Sequence, residues 1–247
     1  MKKSLLFLSL AIIVLTACQS AQPTQQPSQQ QAQTSAAPSA QAPSVQSSGG
    51  LCDNPYFPVV EGATWSYDMT TNFGTVTSTN TISDVGTDGF LMVTDNPDIS
   101  YVITWECSAE GLYWLQSTGG MFAAVFQTDA GTGTVQTLSV TGVSIPADVQ
   151  PGDSWISDEE ITASGFGVDE TFTIHADYHA IGMETITVPA GTFDALRVDF
   201  TMTNTSETLP VSIEGTSWFA AGVGQVKNTG LLGDISSDLE LVSYSIP

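Results

Sequence analysis

A period of two constrains this chain more than any other feature. In residues 168–178 (VDETFTIHADY), Phe172, Ile174, Ala176 and Tyr178 fall on one side of an extended backbone. Thr171, Thr173, His175 and Asp177 fall on the other. In 195–202 (ALRVDFTM), Leu196, Val198, Phe200 and Met202 alternate with Ala195, Arg197, Asp199 and Thr201. Successive side chains of a strand point to opposite faces, so such runs fit half-buried antiparallel strands and not helices. No 3.6-residue period lasts ten positions anywhere in 51–247, and Gly or Asp/Asn/Pro clusters recur every 8–14 residues as turns. The pattern predicts an all-β domain. Its strands are expected near 64–70, 75–85, 89–94, 99–106, 111–116, 120–127, 134–141, 154–163, 168–178, 182–188, 193–204, 210–219, 223–228 and 239–246. That length buries a real core, as one unit or as two similar halves.

The first fifty residues have a different texture. Met1-Lys2-Lys3 is positive, and 5–15 (LLFLSLAIIVL) is apolar. That run is shorter than the ~20 residues needed to span a bilayer, and it suits the hydrophobic core of a secretion signal. Leu15-Thr16-Ala17-Cys18 then resembles the bacterial lipobox. The resemblance implies that 1–17 is a signal peptide cut before Cys18, and that the Cys18 thiol carries diacylglycerol. Acyl chains contribute about 0.8 kcal/mol per buried CH₂, so two or more such chains (palmitate among them) anchor a protein durably. Residues 19–50 hold no charge, no aromatic and one large aliphatic, Val45. Such a segment buries too little apolar surface to offset its ordering entropy, which predicts a disordered Gln/Pro/Ser/Ala-rich tether over 18–50. The extracytoplasmic domain is then 51–247. Gln19 after the Cys points to the outer membrane in a host with two membranes; with one, the site is the outer face of the cytoplasmic membrane.

Charge and cysteine content narrow the partners. Four Lys and Arg stand against 26 Asp and Glu, for a net charge of -22, and two of those lysines lie in the leader. Nucleic acid binding depends on cations that neutralise phosphate, so it is excluded, as is docking on anionic lipid. The membrane link is therefore expected through Cys18 alone, with other partners unknown. Apart from Cys18, the chain has Cys52 and Cys107. In an oxidising compartment they are expected to form a disulfide, the alternative being two free thiols.

A faint repeat runs through the domain. Gly62-Ala63-Thr64-Trp65, Gly152-Asp153-Ser154-Trp155 and Gly215-Thr216-Ser217-Trp218 each read as a Gly turn with a Trp entering a strand. These tryptophans are expected to plug the core, the alternative being a ligand cavity. YFPVVEGATWSYD (56–68), ETITVPAGTFDALRV (184–198) and WFAAGVGQVK (218–227) together resemble the TapB-like family of exported bacterial domains, related to a larger family of unknown function. That resemblance implies a strongly curved antiparallel sheet, half-barrel or sandwich-like, akin to lipoprotein carriers, and no catalytic residues. Pro189-Ala190-Gly191 reads as a tight turn, and Gly222 and Gly224 as relief where two strands meet.

The search for chemistry returns little. Both histidines lie in His175-Ala176-Asp177-Tyr178-His179. On a strand they share a face with Asp177, but His175 and His179 sit about 13 Å apart along it, too far for one ion to join all three. No Gly-x-Ser-x-Gly elbow, calcium loop or phosphate loop occurs, and Ser157-Asp158-Glu159-Glu160 lacks calcium-loop spacing. No catalytic, cofactor or metal residue is assigned and no cofactor is expected. The leading expectation is a non-enzymatic tethered β-domain for ligand binding or envelope maintenance. The alternatives are a half-barrel carrier of lipid or lipoprotein, and a secreted hydrolase or metalloenzyme using His175, Asp177 and His179.

Overall fold

The computed structural model describes residues 50–115, 133–165, 168–208 and 210–247. Cys18, the expected tether and the expected strand at 120–127 lie outside the described residues. Among the described residues there is no helix, and thirteen antiparallel strands form one curved, unclosed sheet. They are β1 (Thr64–Thr71), β2 (Gly74–Ser83), β3 (Gly89–Asp95), β4 (Ser100–Cys107), β5 (Gly111–Trp114), β6 (Thr134–Gly142) and β7 (Ile145–Pro146). There follow β8 (Ser154–Gly165), β9 (Val168–Val188), β10 (Gly191–Asn204), β11 (Ser212–Ala220), β12 (Gly224–Leu232) and β13 (Ile235–Ser245). The order across the sheet is β6-β8-β9-β10-β11-β12-β13-β1-β2-β3-β4-β5-β7.

The connection between β6 and β7 shows how far the sheet curls. These strands lie at opposite ends of the order, yet only Val143 and Ser144 separate them in sequence. Val143 N donates to Ile156 O of β8 (3.3 Å), and Ser144 N donates to Leu112 O of β5 (2.9 Å). The two ends of the sheet therefore approach within one dipeptide, with no ladder closing them.

The main core gathers Trp65 and Tyr67 (β1), Phe90 and Met92 (β3), Ile103 and Trp105 (β4), Phe193 and Ala195 (β10) and Leu241 (β13). Phe90 and Trp105 stack at 5.7 Å. Ile161, Ala163, Phe172 and Ile174 form a second cluster, and Val149, Ala180, Leu196 and Val198 a third. Cys52, ahead of β1, is bonded to Cys107 at the end of β4, with Cα atoms 4.9 Å apart. Their separation of 55 residues corresponds to about 4 kcal/mol on the chain-entropy account.

Three expectations are corrected. The strands expected at 168–178 and 182–188 are one strand, β9, with a register shift where Ala180 and Gly182 face Val198 and Arg197. The extra residue, Ile181, is a bulge that bends the strand without ending it. Gly215 is not in a turn but inside β11. A Cβ there would meet Thr229 O at 2.3 Å and Phe200 Cζ at 2.5 Å, so close approach explains the glycine. At Gly224 the reason is conformation, not crowding: φ is +104° and the nearest atom to a Cβ would be 3.5 Å away.

Candidate functional site

Strand β9 turns Phe172 and Ile174 into the second core and buries Ala176 on the same side, which leaves His175, Asp177 and His179 on its opposite, polar face. His175 pairs directly with Asp158 of β8, and Nδ1 lies 2.6 Å from Asp158 Oδ1. Nε2 lies 3.0 Å from Asp177 Oδ2. With a carboxylate at each ring nitrogen, both nitrogens are best used as donors, which requires the imidazolium. The hydrogen bond to Asp158 is the largest influence on His175, and with its charge and that of Asp177 it raises the imidazole pKa against a partial loss of solvation. His179 Nδ1 instead meets Ser154 Oγ (2.9 Å) and Asp153 O (3.2 Å). The two rings thus serve separate networks. Among the described residues no three His, Cys, Asp or Glu converge on a point that would hold a metal ion.

The register extends this face across five strands. One row runs Ile156, Asp177, Thr201, Glu214 and Leu231, from β8 to β12. The next runs Ser154, His179, Asp199, Thr216 and Thr229. Along these rows lie two shallow concavities of about 550 Å³ and 480 Å³, which meet at Asp199, Phe200 and Thr201. They form one open trough across the strands. On the core side of the same strands, the space between Trp155, Tyr178, Leu196 and Phe219 is only about 30 Å³, enough for a water.

At one side of the trough stands a fixed ion network. Arg197 Nε and Nη2 donate to the two oxygens of Asp199 (2.9 and 3.1 Å), and Nη1 to Glu184 Oε1 (3.3 Å). Thr216 Oγ1 donates to Asp199 (2.8 Å), and Trp218 Nε1 to Glu184 Oε2 (2.8 Å). Burial pushes the Asp199 carboxyl up, but the Arg197 and Thr216 donors outweigh it and hold the group below its ordinary range. Trp218 pairs with Lys227, whose Nζ reaches Glu240 Oε1 (2.7 Å) and Asp238 Oδ2 (3.2 Å). Arg197, Lys227, His175 and His179 are all the basic side chains of residues 51–247, and all four lie on this one face. Sequence reasoning counted Arg197 and Lys227 only as charge. The available signal was the i, i+2 spacing of Arg197-x-Asp199 and Asp238-x-Glu240, which sets like-facing groups side by side on a strand.

The tryptophans of the repeat sit in the fold. Trp65 is buried and donates to Val223 O (2.6 Å). Trp155 stacks on Tyr178 at 5.3 Å and donates to Ser144 O (3.3 Å). Trp105 and Trp114, which the repeat did not include, stack at 6.2 Å with buried indole N–H groups that have no hydrogen-bond partner among the described residues. Ser164-Gly165 ends β8, and its backbone pairs across to Asp169 and Val168, so it is hairpin and not a nucleophile elbow.

Comparisons with known proteins agree with this architecture. Residues 117–230 match a domain family described as DUF3108-like, and the match takes in two of the three sequence landmarks, 184–198 and 218–227. A candidate lipoprotein of Parabacteroides distasonis is 17% identical, with a TM-score of 0.55 over 78% of this chain and 99% of that one. A candidate exported protein of Bacteroides fragilis with a YmcC-like fold is 15% identical, with a TM-score of 0.52 over 78% and 99%. No curated protein matches the sequence. The chain shares the fold of these two bacterial proteins, and its residues 117–230 are similar to the DUF3108-like family.

Proposed function

We propose that this protein is a lipid-tethered, extracytoplasmic binding domain and not an enzyme, with the trough of β8–β12 as its ligand face. One observation carries the reading: the domain's basic groups are held with carboxylates or backbone in separate networks spread over the face of β8–β12 and do not converge on the trough. A catalytic site needs nucleophile, base and charge-stabilising donors converging on one reacting atom. The leader, Leu15-Thr16-Ala17-Cys18 and the uncharged segment 19–50 support attachment through Cys18, and the three landmarks support kinship with the TapB-like family. Fold likeness to a candidate lipoprotein and a candidate exported protein is in keeping with an envelope location. The lipid-carrier alternative asks for a wide apolar hollow. The trough is instead shallow and open, and its lining mixes Asp177, His179, Asp199 and Glu214 with Trp155, Tyr178 and Phe200 and with Ile156 and Leu231 at its ends.

The test is the His175→Ala/His179→Ala double variant beside the parent, assayed on ester, phosphoester and glycoside substrates and for bound metal. The reading predicts no turnover in either protein and a stability loss no greater than about 1 kcal/mol, since exposed ion pairs contribute little. Turnover or stoichiometric zinc in the parent, abolished in the variant, would establish the metalloenzyme or hydrolase instead.

A further inference from the structure

Glu159 is the only acidic side chain among the described residues that is wholly buried, at 0% exposure. Alternation along β8 explains why: Asp158 and Glu160 turn to the polar face, while Glu159 turns inward with Ser157 and Ile161. In register it sits between Val140 of β6 and Ile174 of β9, and Thr137 Oγ1 of β6 donates to its Oε1 (2.6 Å). From the other end of the sheet, β5 presents the buried Tyr113, and of the charged groups around that phenol Glu159 acts on it most strongly. This is the join where the two ends of the sheet meet. Ser144 holds it from several sides: its N–H donates to Leu112 O, its carbonyl accepts from Trp155 Nε1, and its Oγ accepts from Trp114 N. The Tyr178 phenol is hydrogen-bonded there to the side chains of Ser157 and Ser144.

We infer that Glu159 is a proton-controlled latch on this join: as the neutral acid it packs β6 and β8 against β5, and its ionisation loosens the two ends of the sheet from one another. A carboxylate taken wholly out of water loses more solvation than a hydrogen bond from a neutral hydroxyl returns, so the group keeps its proton instead. The four basic side chains of 51–247 stand on the opposite face, each in a network of its own. Among the described residues, Glu159 is faced by Tyr113 from β5, Thr137 and Val140 from β6 and Ile174 from β9, with Ser157 and Ile161 beside it on β8. Burial raises the Tyr113 and Tyr178 phenols, so both stay neutral when Glu159 titrates. The acids nearest in sequence, Asp158 and Glu160, and Glu106, which acts on Tyr113 from β4, are of like charge and favour the same protonated form. The folded chain thus binds this proton more tightly than the unfolded one. The stability that it adds is whole below the ordinary carboxyl range and is lost as pH rises through the folded value. The enclosed space of about 30 Å³ beside Ser144, Trp155 and Tyr178 lies along the same join, so loosening it gives access to the interior.

The experiment follows amide hydrogen exchange in the full chain in non-ionic detergent, corrected for intrinsic rates, from about pH 5 to about pH 8. The reporters are Val143 and Ser144, whose N–H groups reach Ile156 O and Leu112 O across the join. In the parent their protection is expected to fall about tenfold or more over that range, because each pH unit between the unfolded and folded carboxyl pKa shifts the opening equilibrium up to about tenfold. Glu159→Gln, neutral at every pH, is expected to lose that fall. Glu160→Gln, at the exposed neighbouring position, is expected to follow the parent. Should Glu159→Gln fail to fold, carbon NMR of the parent labelled at its glutamate carboxyls decides, and one carboxyl is expected to titrate above all the others. The same exchange profile in parent and Glu159→Gln, or a parent whose glutamates all titrate in the ordinary range, would overturn the inference.

Discussion

Asp158 and Asp177 grip His175 from both ring nitrogens, and the grip has a consequence in pH. The imidazole pKa is raised in the folded chain, chiefly through the hydrogen bond to Asp158. A group that binds its proton more tightly folded than unfolded adds stability below its unfolded pKa, and that addition is lost as pH rises through the folded value. Proton NMR should therefore show His175 titrating above the ordinary imidazole range. Asp158→Asn should bring the midpoint down. Equal midpoints for His175 in parent and variant would contradict the geometry. The sequence placed His175, Asp177 and His179 on one polar face, and that placement is seen. Asp158 was invisible as their partner because it lies 17 residues away on β8, and only the register of β8 against β9 brings it opposite His175.

At the scale of elements, alternation located most strands, and its most instructive failure is β9. Phe172, Ile174, Ala176 and Ala180 are buried, Tyr178 between them is half-buried, and Val188 is buried again at the far end. The sequence pattern reads there as two strands, 168–178 and 182–188, with even-numbered side chains on one face of each. The register shows otherwise: Ala180 pairs with Val198, whereas Ile186 pairs with Phe193, and those β10 residues belong to opposite faces of the sheet. The bulge at Ile181 exchanges the faces just where the hairpin passes from the third core into the main one, so two changes cancel in the sequence pattern. The dipeptide strand β7 was missed because two residues carry no period. Gly215 offers a direct test of packing between neighbouring strands. Gly215→Ala puts a methyl against Thr229 O and the Phe200 ring, and should cost about 1–3 kcal/mol by chemical denaturation. No change in the unfolding midpoint would mean that β10, β11 and β12 are not packed as described.

The whole molecule joins an acidic, curved β-domain to an uncharged segment and an apolar leader. All 26 acidic residues lie in the β-domain against Arg197 and Lys227, a net charge of -24 that repels it from anionic lipid. In the proposed reading the membrane link is made at Cys18, within Leu15-Thr16-Ala17-Cys18. The domain was legible as all-β from its pattern, and its curvature only through the resemblance. The joining of distant strands through Val143 and Ser144 depends on backbone hydrogen bonds that no side-chain pattern records. The covalent state of Cys18 decides whether the chain is lipid-tethered. Intact mass of the protein extracted by detergent from the membrane fraction of expressing cells should correspond to a chain beginning at Cys18 and carrying at least a diacylglycerol. A chain retaining Met1, or one beginning at Cys18 with an unmodified thiol, would contradict it.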